Sequence, residues 1–231
     1  MRKGAFMNQL KSPTLRVRVK GPLACFTRPE LKVERVSYPV MTPSAARGLL
    51  EAILWKPAIY WHIERIHVLN EINFISFRRN EVDIKASVPS QKTVDKGGPA
   101  PLFFATENRS QRNTVALRDV DYVIEAYFSM TEKAGEDDNI SKFVDMFNRR
   151  VKKGQNFYQP YFGCREFAAQ FMPADECPPP AQITKELGIM LWDIEHKETK
   201  KRPLFFIAKL EDGILEVPAD PEADFMRQLS E

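Results

Sequence analysis

An α+β fold of the ferredoxin-like, split βαβ type is what this sequence predicts, and three observations predict it. Segments with the period of two expected of strands recur along the chain. Two segments with the helical period interrupt them. The order reads strand, helix, strand, strand, arm, strand, helix, strand, with three further strands at the C-terminal end.

Residues 14–21, "TLRVRVKG", alternate apolar and basic residues and stop at Gly-Pro. They predict a half-buried strand with Arg16, Arg18 and Lys20 on one face, expected to meet solvent or an anion. A long connection follows, with Arg28, Lys32 and Arg35 along it. "TPSAARGLLEAILW" is the first helix. Thr42 can cap it and Pro43 suits its first position. Ala46, Leu49, Leu50, Ile53 and Leu54 form one apolar stripe. Pro57 ends the helix and pushes Lys56 to extended geometry.

"IYWHIERIHVLN" and "EINFISFRRN" alternate like two strands. His62 and His67, five apart, are expected on opposite faces. Residues 80–114 are polar and carry Pro89, Gly97, Gly98, Pro99 and Pro101, a long loop for a compact domain. The stretch reads as a protruding arm or as a disordered insertion. Eight Lys+Arg against four Asp+Glu between positions 78 and 118 favour an arm that faces an anion. "VDYVIEAYFSM" is the next strand. "EDDNISKFVDMFNRRVKKG" is the second helix, capped by Asp138 or Asn139 and stopped by Gly154. "GQNFYQPYFGCREFAAQF" is expected to turn into a strand near Cys164. "CPPPAQ" reads as a linker before three strands of a small antiparallel sheet. The division expected is 1–172, with the arm at about 80–114, and a C-terminal appendage at 173–231.

The 231 residues, 43% hydrophobic and 28% charged, suit one large domain or a domain with an appendage. No apolar run approaches the roughly 18 residues of a membrane span, and "GAFMNQLKS" holds no signal-peptide core. The three cysteines, Cys25, Cys164 and Cys177, make no disulfide framework. A cytoplasmic protein without membrane contact is expected, with no metal and no cofactor. No Walker loop, dinucleotide fingerprint, H-E-x-x-H or G-x-S-x-G occurs, so nucleotide-driven, metal-dependent and acyl-transfer chemistries lack support.

The net charge of +3 hides an asymmetry. Residues 173–231 hold 7 Lys+Arg and 13 Asp+Glu, whereas the first 172 residues hold 27 and 18. A basic body with an acidic tail hints at a polyanion on one part. Between positions 142 and 165, Lys142, Arg149, Arg150, Lys152, Lys153 and Arg165 outnumber one acid, Asp145. Phe157, Tyr158, Tyr161 and Phe162 are interleaved with them. Cations contact phosphates while rings stack bases, so the mixture suits single-stranded RNA. A solubilising helix face over core aromatics is the alternative.

Exact strings add specificity. "FTRPELKVERVSYPVMTPSAARGLLEAI", "WKP", "IHVL", "RRNEV", "DVDYVIEAYF" and "GQNFYQPYFGCREFAAQF" resemble the fifth family of CRISPR-associated proteins in its type I-C (Dvulg) subtype, within the RAMP superfamily. The resemblance runs from about Leu15 to Phe171 and more weakly to the end. It implies a modified RNA-recognition (RRM) domain with a C-terminal β-sheet appendage. It also implies a Cascade subunit that holds the 5′ handle of the guide RNA, beside backbone and large subunits, with target double-stranded DNA met through the complex. In this subtype the resemblance further implies an endoribonuclease that cuts CRISPR repeat RNA without metal, by attack of a ribose 2′-hydroxyl on the adjacent phosphate. That reaction needs a general base, a general acid and a cation for the pentavalent phosphate.

Relatives carry a Tyr before Trp-Lys-Pro and a Lys-His pair near the start of the second helix. Here those positions are Leu54 and Lys142-Phe143, so only the lysine remains. Tyr60, His62 or Tyr158 could substitute, Lys142 with positioning alone could give slow cleavage, or the chain could bind a guide cut by another protein. The catalytic candidates are Lys142, Tyr60 and His62. The RNA-binding candidates are Arg35, Arg47, Arg78, Arg79, Arg109, Arg112, Arg149, Arg150, Lys152, Lys153, Tyr158 and Arg165.

Overall fold

The structure is a computed structural model that describes residues 11–31, 33–85, 87–98, 103–196 and 201–228. Lys32 and residues 99–102 of the expected arm lie outside the described residues, as do Arg2 and Lys3. The elements run β1 (Leu15–Ala24), β2 (Arg35–Val36), α1 (Pro43–Ile53), β3 (Ile59–Val68), β4 (Asn73–Val82), α2 (Gln91–Asp95), β5 (Arg109–Met130), α3 (Ile140–Lys153), β6 (Gln170–Met172), β7 (Lys185–His196), β8 (Lys201–Glu211), β9 (Ile214–Glu216) and α4 (Pro221–Gln228). The result is an α+β fold with a curled, almost wholly antiparallel sheet, in the order β6-β1-β5-β3-β9-β8-β7.

Both long helices start and stop where the sequence says. The Thr42 side chain accepts the Ala45 N–H at the start of α1. Asn139, the second of the two cap candidates, accepts the Lys142 N–H at the start of α3. Gly154 ends α3 in the left-handed conformation that a side chain disfavours, φ 64°. Leu49, Leu50 and Ile53 of α1 and Phe143, Phe147 and Val151 of α3 bury against one sheet face, with Val17, Val19, Ile124, Phe128, Trp61 and Ile66. Trp61 meets Phe128 and Phe147 at ring centroids 5.3 and 5.0 Å apart.

β5 organises the sheet. Its first half pairs with β4 and its second half with β3, so those two strands follow each other along one edge. Asp119, at φ 53°, sits at the handover, and its carbonyl accepts the Asn70 side-chain amide at 2.7 Å. The expected arm is shorter than its polar composition suggests. Residues 109–114 pair with residues 77–82, and Gln91–Asp95 form a helical turn. Cross-strand pairing has overridden local polarity there.

Other expectations are corrected. A one-residue bulge between Ile63 and Arg65 shifts the phase of β3. His62 lies opposite Tyr127 and His67 opposite Val123, so both histidines face the same side, away from the helices. The basic row of β1 meets the protein's own acids. Arg18 grips Asp121 with contacts of 2.7 and 3.0 Å, and Arg16 lies 3.1 Å from Glu125. The strand expected near Cys164 forms only at Gln170–Met172. The three C-terminal strands are present, and β9 hydrogen-bonds to β3, so they extend the same sheet. Helix α4 was not foreseen. No helix among the described residues is long and apolar enough to cross a membrane.

Candidate functional site

The predicted site residues fall in three places. The first is the junction where α1 ends against α3. Carbonyls at a helix C-terminus lack intrahelical partners. Here the Arg150 guanidinium donates to the Ile53 carbonyl at 2.6 Å, and the Phe157 and Tyr158 N–H groups donate to Ala52 at 2.8 and 3.3 Å. The Trp61 indole donates to the Leu54 carbonyl at 3.1 Å. Leu54 is fully buried and Phe143 is 2% exposed, edge-on to Phe128. Two core side chains thus fill the positions where the resemblance expects Tyr and His. Lys142, on the first turn of α3, has a side chain 44% exposed with Nζ 2.9 Å from Asp138. Its hydrogen bond, aided by the Gly135 N–H, holds the Asp138 carboxyl below its usual range, and Lys56 adds to the effect. Tyr158, Arg149, Lys152, Lys153 and Arg165 are exposed around this junction.

The second place is a groove of about 1020 Å³ between the outer face of β3 and β5, the start of α1, β7 and the start of α4. Strand alternation sends Trp61 into the core and its neighbours Tyr60 and His62 into this groove. Arg47 of α1 donates to the Tyr60 hydroxyl at 2.6 Å and holds Asp193 of β7 with contacts of 2.6 and 2.8 Å. Burial raises the Tyr60 pKa, although Arg47 opposes it. His62 Nε2 lies 2.9 Å from the Ser129 hydroxyl, and the ring stacks on Tyr127 at 4.7 Å. Burial pushes the His62 pKa down to about 4, helped by Lys11 and Arg47. At neutral pH the pair is therefore an imidazole and a phenol, both uncharged. Lys142 is not among the residues that line this groove.

The third place is the outer half of the β4–β5 hairpin. Arg35 and Arg79 both reach Glu166, at 3.0 and 2.6 Å, and both reach Glu81, at 3.1 and 2.6 Å. Arg112 is half-buried opposite Arg79, while Arg78 and Arg109 are exposed. Glu166 is presented by a loop that crosses the end of β1 at Gly163, φ 76°, where a Cβ would come within 2.0 Å of the Cys25 carbonyl. Beside it, a hydrogen bond from the Cys25 thiol and the nearby Arg35 guanidinium pull Cys164 down to about 6 against burial.

Sequence reasoning missed Trp55 and Asp193. Trp55 was legible, because it falls off the α1 stripe and so had to be exposed. Asp193 was not, because nothing local ties β7 to α1.

The family model Cas_Cas5d, described as CRISPR-associated protein (Cas_Cas5), matches residues 14–218. The chain belongs to this family. A relative from Mannheimia succiniciproducens named CRISPR pre-crRNA endoribonuclease Cas5d is 48% identical over 215 residues, covering 88% of this chain and 94% of the relative. A relative of the same name from Thermus thermophilus is 42% identical over 231 residues, covering 92% and 95%. Among solved structures, one described as a CRISPR-associated protein has a TM-score of 0.66 at 21% identity, covering 92% of this chain and 95% of its own. A functionally uncharacterized protein from Streptococcus mutans has the same TM-score and identity, covering 94% and 97%. At that identity the two structures bear on the fold alone.

Proposed function

We propose that this chain is a type I-C Cascade subunit that binds the repeat hairpin and 5′ handle of CRISPR RNA and cuts pre-crRNA. The observation that carries the reading is near-full-length identity of 48% and 42% to two relatives that bear the name of that activity. The order β6-β1-β5-β3, with α1 and α3 on one face, supports a ferredoxin-like, RNA-recognition type of sheet. Residues 1–172 would form this RNA-binding unit and 173–231 its appendage. The setting is the cytoplasm, beside backbone and large subunits, with double-stranded DNA reached through the assembled complex.

The cleavage is metal-independent attack of a 2′-hydroxyl on the adjacent phosphate. Lys142 exchanges Asp138 for the phosphorane and stabilises its charge. Tyr60 and His62 are proton-transfer candidates only for a phosphate bound in their own groove, as an alternative to the Lys142 site. There a neutral imidazole can accept a proton and a neutral phenol can donate one. Their groove lies across the sheet from the core that Phe143 enters, so each place is tested separately. Arg78, Arg109, Arg149, Lys152, Lys153 and Arg165 hold phosphates from exposed positions, Tyr158 stacks, and Arg35, Arg47, Arg79, Arg112 and Arg150 brace the surface that carries them.

The deciding experiment incubates purified protein with end-labelled repeat RNA in EDTA. A single cut at the base of the hairpin is expected. Lys142→Ala is expected to slow that cut at least about tenfold while repeat affinity changes little, because one lost charge-stabilising contact is worth that much. Equal losses in rate and affinity would make Lys142 a phosphate clamp. A second reading, a scaffold that binds RNA without cutting it, is favoured by the buried, proton-free Leu54 and Phe143. Intact RNA in a tight repeat-specific complex would establish it.

A further inference from the structure

At the α1–α3 junction three large aromatic side chains stand in solvent. Trp55, Phe157 and Tyr158 are 49%, 61% and 41% exposed. They are not scattered. The rings of Trp55 and Phe157 stack with centroids 6.0 Å apart and an interplanar angle of 26°, and Tyr158 meets Phe157 edge-on at 5.9 Å. Isolated exposed aromatics need no explanation, but a contiguous exposed stack marks a contact surface.

The stack is also held in place. The backbone of Phe157 and Tyr158 is pinned to the Ala52 carbonyl, and Arg150 is pinned to Ile53. Both sides of the stack therefore rest on the last turn of α1, and the rings do not wait on a loop to order. Cations surround it. Lys56 follows Trp55 directly and lies close enough to Lys142 that both act on Asp138. Lys152 and Lys153 lie on the last turn of α3, a few residues before Phe157, and Arg165 acts on the Tyr158 phenol. The acids here are Glu51, which is half-buried, Asp138, which is already paired, and the exposed Glu136, Asp137 and Asp145. These last three lie toward α3 and its start and not beside Lys152, Lys153 and Arg165 in the sequence. Flat apolar rings for a π-face, ringed by cations for a backbone, match a single-stranded nucleic acid better than a protein surface, which offers no comparable run of negative charge.

We propose that Trp55 and Phe157 form a platform on which one unpaired base of the repeat RNA stacks, with its flanking phosphates toward Lys56 and Lys142. The inference rests on RNA being the ligand and deepens that reading. It adds a positioning role: a base fixed on Trp55 sets which phosphate lies over Lys142, one residue along α3 from the core position of Phe143.

The test places 2-aminopurine at each unpaired position of the repeat RNA in turn, and the fluorescence of each RNA is titrated with the full chain. Quenching at one position is expected for the native protein. It is expected to be lost in Trp55→Ala and kept in Trp55→Phe, with repeat affinity falling about 10-fold to 100-fold in the alanine variant. Circular dichroism spectra that superimpose with the native protein's exclude misfolding as the cause. Native affinity and native quenching in Trp55→Ala would overturn the platform while leaving RNA binding intact. Native affinity combined with lost association with another subunit would also overturn it, by making the stack a protein contact. A native chain that binds no repeat RNA would overturn the functional reading itself.

Discussion

The groove that holds Tyr60 and His62 and the junction that holds Lys142 and Trp55 differ in how their polar groups are spent. In the groove the polar groups already serve each other: Arg47 bonds Tyr60 and Asp193, and His62 meets Ser129 and stacks on Tyr127. At the junction the floor is apolar core, and the groups above it face water. A satisfied network costs energy to open. An exposed stack flanked by cations is available without rearrangement. Chemical identity alone, a Tyr and a His beside a basic helix, pointed to the first place. The accounting of partners points to the second.

The largest expected effect tests the apolar floor. Phe143→Ala removes a buried aromatic from contact with Phe128, and by the usual cost of such deletions it lowers stability by about 3–5 kcal/mol. Thermal unfolding measures this, and a loss under about 1 kcal/mol would mean the floor is looser than its burial implies.

A smaller effect tests the groove. The folded-state pKa of His62 lies near 4, below the ordinary 6.5. The unfolded chain therefore binds more protons between these values, and the stability from neutral His62 is present above pH 6.5 and lost as pH falls toward 4. The loss amounts to as much as about 3 kcal/mol over that window. Denaturant titrations of the native chain and of His62→Gln should diverge there, the variant showing the flatter profile. Parallel profiles would remove His62 from the network.

The smallest effect sharpens the comparison within α3. Arg149 is exposed, whereas the neighbouring Arg150 is tied to the Ile53 carbonyl. Arg149→Glu should leave thermal stability within about 0.5 kcal/mol of native. It should also reduce the magnitude of the salt slope of RNA affinity by about 0.7 to 1 for the lost contact. Arg150→Glu should instead lower stability. An unchanged slope in the Arg149 variant would put the RNA elsewhere.

Much of the fold was legible in local signals. Thr42-Pro43, the stripe through Leu54, Asn139 and Gly154 set α1 and α3 to within a residue or two, because caps and periodicity act over a few residues. The bulge at Glu64 was not legible, since an inserted residue leaves no mark in the alternation until the partner strand is known. The same holds for the pairing of residues 109–114 and for the acids that meet Arg16 and Arg18. Of the candidate site, the residue types were legible. Which cations stay exposed was not, because Glu81, Glu166 and Asp193 come from distant parts of the chain.

The single-residue handover at Asp119 turns β5 into a lever. Ten residues lie on its outer side, roughly 33 Å of strand. A change of about 10° in direction at Asp119 would sweep Arg109 through about 6 Å. Arg35, opposite Thr114 midway along that lever, and Arg79, opposite Arg112 near its tip, are bound to Glu166 and act as stays on it. The aim of the exposed arginines at its tip is thus set by ion pairs made on its outer half, which tie it to the loop that carries Glu166.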